Sequence, residues 1–148
     1  MKKFSASILV GALLLASGAI AQTAGPVGLW KTIDDASGKP KALVRISEAN
    51  GELSGKIEKL FRAANEEQNP VCVKCEGAKK DQPLIGMTIL EGLRPDGLDY
   101  RGGKILDPDN GKVYKSKAAL TDNGKKLNLR GYIGVPLLGR TQTWIREE

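Results

Sequence analysis

Apolar and polar residues alternate with period two along most of this chain, and apolar residues rarely recur at the three- and four-residue spacing of an amphipathic helix. Strands are therefore the predicted elements. From Glu52 to Phe61, Leu53, Ile57 and Phe61 share one face while Glu52, Ser54, Lys56 and Glu58 share the other. From Lys126 to Ile133, Leu127, Leu129 and Ile133 oppose Asn128, Arg130 and Tyr132. Both patterns suit antiparallel strands with one buried face. Turn clusters such as Ala49-Asn50-Gly51, Pro95-Asp96-Gly97 and Asp122-Asn123-Gly124 divide the runs, and their Asn, Asp and Gly residues supply the positive φ that short hairpins need. Eight strands are predicted near 27–34, 41–48, 52–61, 86–93, 98–106, 112–119, 126–133 and 139–146. The fold class is all-β, a small antiparallel up-and-down β-barrel of about eight strands, because closure removes exposed edges. A two-sheet sandwich is the alternative. The polar stretch 63–82 is predicted to be a loop with at most a short helix.

The N-terminus changes the picture. Lys2 and Lys3, an apolar stretch from Ile8 to Ile20 and the small-residue end Ala19-Ile20-Ala21 form the three-part pattern of a secretory signal peptide, with cleavage expected after Ala21. An apolar run of about a dozen residues is short of the roughly 20 needed to span a bilayer, and no membrane span is expected in residues 22–148, which fit one domain. The predicted location is periplasmic or secreted. The formal charge of +6 is spread along the chain, with lysines beside acids as in Lys56-Ile57-Glu58-Lys59, which argues against nucleic acid as a partner and leaves a weak preference for anionic envelope components.

Candidate chemistry is sparse. Cys72 and Cys75 are the two cysteines, and in an oxidising compartment they are expected to pair. A redox-active Cys-x-x-Cys is the sharper reading, but nothing around it has the βαβ pattern of thioredoxin-like enzymes. The chain has no histidine, which removes Ser-His-Asp and Cys-His nucleophiles and histidine-held metals, and two thiols fall short of a structural zinc site. The close carboxylate pairs Asp34-Asp35, Glu66-Glu67 and Asp107/Asp109 all fall in predicted turns or loops, and Asp107-Pro108-Asp109-Asn110-Gly111 lacks the closing glutamate of a calcium loop. No catalytic residue, metal ligand or cofactor is assigned, and an enzyme is not expected.

Two tryptophans and the arginines of the last strands remain. Arg130 and Tyr132 share one face of their strand, and Arg140, Gln142 and Trp144 share one face of the next. Pairing through the turn at Gly134 to Gly139 could bring both sets inward as a cationic, aromatic-lined cavity. In the other orientation Leu127, Leu129, Ile133, Thr141 and Ile145 fill the core and the arginines lie on the surface, which is favoured for Arg130. Gly28-Leu29-Trp30 near the start, with an arginine of the final strand (Arg140 or Arg146) placed to stack on the indole, resembles the structural signature of lipocalins.

The resemblance extends further. Gly51-x-Leu53-x-Gly55, Cys72-x-x-Cys75, Pro83-x-x-Gly86, Gly102-Gly103-x-Ile105-x-Asp107-Pro108-x-x-Gly111-x-x-Tyr114, Arg130-Gly131-Tyr132 and Gly139-Arg140-Thr141-Gln142-Thr143-Trp144 together resemble DUF2147, a family of exported bacterial proteins of unknown function. Tyr100 stands where many relatives have tryptophan before the Gly-Gly pair. What the resemblance implies is a lipocalin-like β-barrel over essentially all of 22–148, with no activity to carry over. The expected function is a periplasmic or secreted module binding a small apolar or amphipathic ligand, with Trp30, Tyr132, Arg140 and Trp144 as ligand-binding candidates. The alternative is a cell-envelope interaction or structural protein with a solid-packed barrel and no ligand.

Overall fold

Eight antiparallel strands pair in chain order and the last returns to the first, closing the sheet into a barrel. The computed structural model describes residues 25–148; the signal peptide expected at 1–21 and the cleavage expected after Ala21 lie outside the described residues. The strands are β1 (Gly28–Ile33), β2 (Pro40–Ala49), β3 (Glu52–Leu60), β4 (Thr88–Asp96), β5 (Asp99–Asp107), β6 (Lys112–Thr121), β7 (Lys126–Tyr132) and β8 (Gly139–Arg146). Closure is made by Trp30 opposite Arg146 and Lys31 opposite Ile145. A continuous sheet leaves no place for the two-sheet alternative.

Local sequence explains the connections. Asn50 and Gly51 both have positive φ, +53° and +75°, and form the two-residue link between β2 and β3 that matches the twist of its strands. The turns at 50–51, 97–98 and 122–125 close one end, here called the floor. The opposite end, the rim, carries the segments 34–39, 61–87, 108–111 and 133–138.

The barrel axis is filled with side chains. Trp30, Val44, Ile46, Leu90, Leu93, Leu127 and Trp144 are fully buried and belong to one apolar cluster. Small residues make room for large ones on the neighbouring strands. A Cβ at Gly55 would lie 3.0 Å from Leu90 and 3.1 Å from Val44, and one at Gly103 would lie 2.6 Å from Leu93 and 2.7 Å from the Ser116 hydroxyl. Packing this close leaves no room for an added methyl group without displacement. The pairing of β3 with β4 shifts on both sides of Gly55. Such bulges break strict alternation, which is how the consecutive Ile89 and Leu90 are both buried.

Two expectations from alternation change at strand ends. Phe61 and Ile133, assigned to core faces, lie one residue beyond β3 and β7 and are exposed. Alternation holds a face only as far as the ladder runs.

Candidate functional site

The register of β7 with β8 decides where the candidate residues point. Leu127 stands opposite Trp144, Leu129 opposite Gln142, Arg130 opposite Thr141 and Gly131 opposite Arg140. Trp144, Gln142 and Arg140 therefore share the leucine face, while Arg130 and Tyr132 share the outer face with Thr141. This corrects both orientations expected from sequence, which moved the two sets together. Because side chains alternate with period two, a one-residue difference in register moves a whole set to the other face, and that register is set by the 133–138 turn together with the burial of one face.

At the floor, the Arg146 guanidinium lies 4.3 Å from the centroid of the Trp30 ring. Its Nε donates to the Gly124 carbonyl at 2.7 Å and one Nη to that of Val27 at 3.0 Å. The Trp30 indole N–H donates to the Pro26 carbonyl at 2.8 Å. Partial burial pulls the Arg146 pKa below its usual value. Gly28 is required here: its φ is +144° and a Cβ would meet the Glu148 carbonyl oxygen at 2.4 Å. Of the two arginines proposed to stack on the indole, the one that does so is Arg146. Trp30 is thus enclosed by the protein's own groups.

Towards the rim, Trp144 donates its indole N–H to Gln142 at 3.3 Å, and Gln142 donates to Asp35 at 3.1 Å. Arg140 pairs with the same Asp35 oxygen at 3.2 Å. Nothing in the sequence marks Asp35 as the partner, since it is distant in the chain and sits in an ordinary turn. Neighbouring Asp34 caps that turn by accepting from the backbone N–H groups of Ser37 and Ala36. Those bonds, the one from Ser37 foremost, hold its carboxyl below the usual aspartate value. Tyr132 is apart from this network, on the outer wall opposite Lys115 of β6.

The 61–87 segment is anchored rather than free. Cys72 and Cys75 are joined in a disulfide and both are buried. Cys72 N–H donates to Gln82 and Asp81 N–H to Cys72, each at 2.8 Å, so the bridge sits in a small hairpin of its own. A three-residue 3-10 turn, Gly77–Lys79, follows in place of the α-helix that a thioredoxin-like site uses. The segment seats on the β5–β6 turn: a Cβ at Gly111 would lie 1.8 Å from the Lys74 carbonyl oxygen. Where they meet is an open groove of about 340 Å³, lined by Cys75, Glu76, Lys79, Leu106, Gly111, Lys112, Val113, Tyr114 and Ile133. A second groove of about 350 Å³ runs from Lys79 to Thr88 along the same segment. The first borders the core at Cys75 and Leu106 and the second at Met87, and neither is lined by Trp30, Leu90, Leu93 or Trp144.

No group of three or more His, Cys, Asp or Glu side chains is placed to hold a metal among the described residues. No helix among them is long and apolar enough to cross a membrane.

Comparison with known proteins gives a family and a fold. Protein HP1028 of Helicobacter pylori, a member of the lipocalin family, superposes with a TM-score of 0.70 at 20% identity over 84% of each chain, a likeness of fold alone. No curated protein matches. The family described as an uncharacterised protein conserved in bacteria, DUF2147, matches residues 28–146, from the glycine of the floor motif to the arginine stacked on it. This chain belongs to the DUF2147 family, and in it that family's motifs build a closed eight-stranded, lipocalin-like barrel.

Proposed function

We propose that the protein is an exported, non-enzymatic interaction module that works from the loops of its rim, with its barrel serving as a rigid support. The observation that carries this reading is the filled axis. Small lipocalin-like barrels have space inside for side chains or for one small ligand, and here Leu90, Leu93 and both tryptophans occupy it, against glycines too closely packed to take a methyl. Ligand capture in the lumen, the function first expected, would need those side chains to move. Trp30, Tyr132, Arg140 and Trp144 are then structural and surface residues and not one binding site. The rim offers the opposite, two grooves and several exposed apolar side chains. Export rests on the signal pattern of residues 1–21.

The test is the mass of the natively purified protein, exported to the periplasm, before and after denaturation. The expected result is the bare mass of residues 22–148 less two hydrogens in both. An added mass that is lost on denaturation, together with a change in tryptophan emission when it leaves, would place cargo in the lumen and overturn the proposal.

A further inference from the structure

We infer that the β6–β7 wall and the 133–138 loop form a docking surface for an anionic lipid bilayer; the inference rests on the rim reading and names its partner.

The loop displays apolar side chains to solvent. Ile133, Val135, Leu137 and Leu138 are 65%, 54%, 85% and 68% exposed. It does so in a fixed shape. Arg130, projecting from the outer wall of β7, donates Nε to the Pro136 carbonyl at 2.5 Å, a second nitrogen to that of Leu137 at 3.3 Å and a third to Thr141 at 2.9 Å. Leu138 N–H closes the turn onto the Val135 carbonyl at 3.0 Å. An exposed apolar cluster held rigid has little further entropy to lose on docking, and large exposed apolar patches mark interaction sites.

Charge selects the occupant. Below the loop, Lys115 faces Tyr132 on one side and Lys104 on the other, and Lys117 faces Arg130. Lys115 and Lys117 have no carboxylate in salt-bridge range among the described residues, and Lys104, although it stands opposite Glu91 of β4, forms no ion pair with it. An apolar tip, a tyrosine at its base and a row of lysines on the wall behind it, two of them without a carboxylate partner, reproduce, in order of depth, the acyl boundary, the interface and the anionic headgroups of a membrane surface. Each lysine near such a surface adds attraction that salt screens.

The experiment is co-sedimentation of the exported protein with vesicles of phosphatidylcholine, alone and with phosphatidylglycerol. Binding is expected to the anionic vesicles, falling as salt is raised. The pair Leu137→Ser with Leu138→Ser should reduce it roughly tenfold or more, and Lys115→Gln with Lys117→Gln should also reduce it roughly tenfold, at low salt only. Leu98→Ser, at the floor and 97% exposed, should leave it unchanged. These positions are outside the core, and circular dichroism verifies the fold of each variant. No sedimentation, equal binding to neutral vesicles, or binding that the Leu137/Leu138 pair does not weaken would overturn the inference. A bare native mass with no vesicle binding defeats the membrane inference and leaves the rim reading, with a protein as partner. Cargo in the lumen defeats the rim reading itself.

Discussion

At position 146 one side chain connects four parts of the chain. Its guanidinium covers Trp30 and donates to carbonyls from the β6–β7 turn and from the stretch leading into β1. A planar fork does this and an ammonium cannot, since it has neither the paired donors nor the flat face. Arg146→Ala should therefore lower the unfolding free energy by about 2–4 kcal/mol, combining a partly buried cation–π contact with hydrogen bonds from a charged donor. Arg146→Lys should recover less than half of that. Urea denaturation followed by tryptophan emission measures both. Equal stability of Arg146→Ala and the parent would mean that the floor is held by the barrel ladder alone. The pattern Gly28-x-Trp30 was legible in the sequence and so was a stacked arginine from β8, but two arginines fitted the pattern. Only the pairing of Trp30 with Arg146 chose between them.

Among the elements, the disulfide segment depends on a contact that no local pattern reveals. Gly111 reads as an ordinary hairpin glycine, with φ of +74°, yet the Lys74 carbonyl lies where its Cβ would be. Gly111→Ala should push the segment off the β5–β6 turn, raising amide exchange across 70–87 while the floor stays protected; unchanged exchange there would show that the segment is held by its own disulfide hairpin. Replacing Cys72 and Cys75 together by serine should cost about 2 kcal/mol of stability in the chain-entropy account of so short a loop. The same scale shows why the candidate site was misassembled from sequence. Hydrophobic alternation correctly separates the faces of β7 and of β8, but it carries no information on how one strand's faces are matched to the next.

For the whole molecule, closure ties every strand to two neighbours, and both tryptophans sit in the single core. Unfolding should then be one cooperative transition, with tryptophan emission and far-ultraviolet circular dichroism falling together in urea. Separate midpoints would reveal a barrel that opens in stages. Cooperative closure around a filled axis leaves the rim as the part of the molecule where side chains can be exchanged without disturbing the packing, which is what the proposed rim reading requires.

The sequence by itself determined the strand number, the hairpins and the order of the meander, because period-two alternation and Asn-Gly turn chemistry act within a few residues, and the partners Cys72 and Cys75, because the chain has two cysteines. The DUF2147 motifs were legible as short runs at fixed spacing, although the glycines at 55, 103 and 111 within them answer to contacts made only once the barrel closes. Tertiary structure alone decided the β7–β8 register, the Asp35 partnership with Arg140 and Gln142, the seating of Lys74 on Gly111, and the filling of the axis. Each of these depends on which distant atoms come within a few ångströms once the sheet closes, and a closed sheet has a shear and a volume that no single strand encodes.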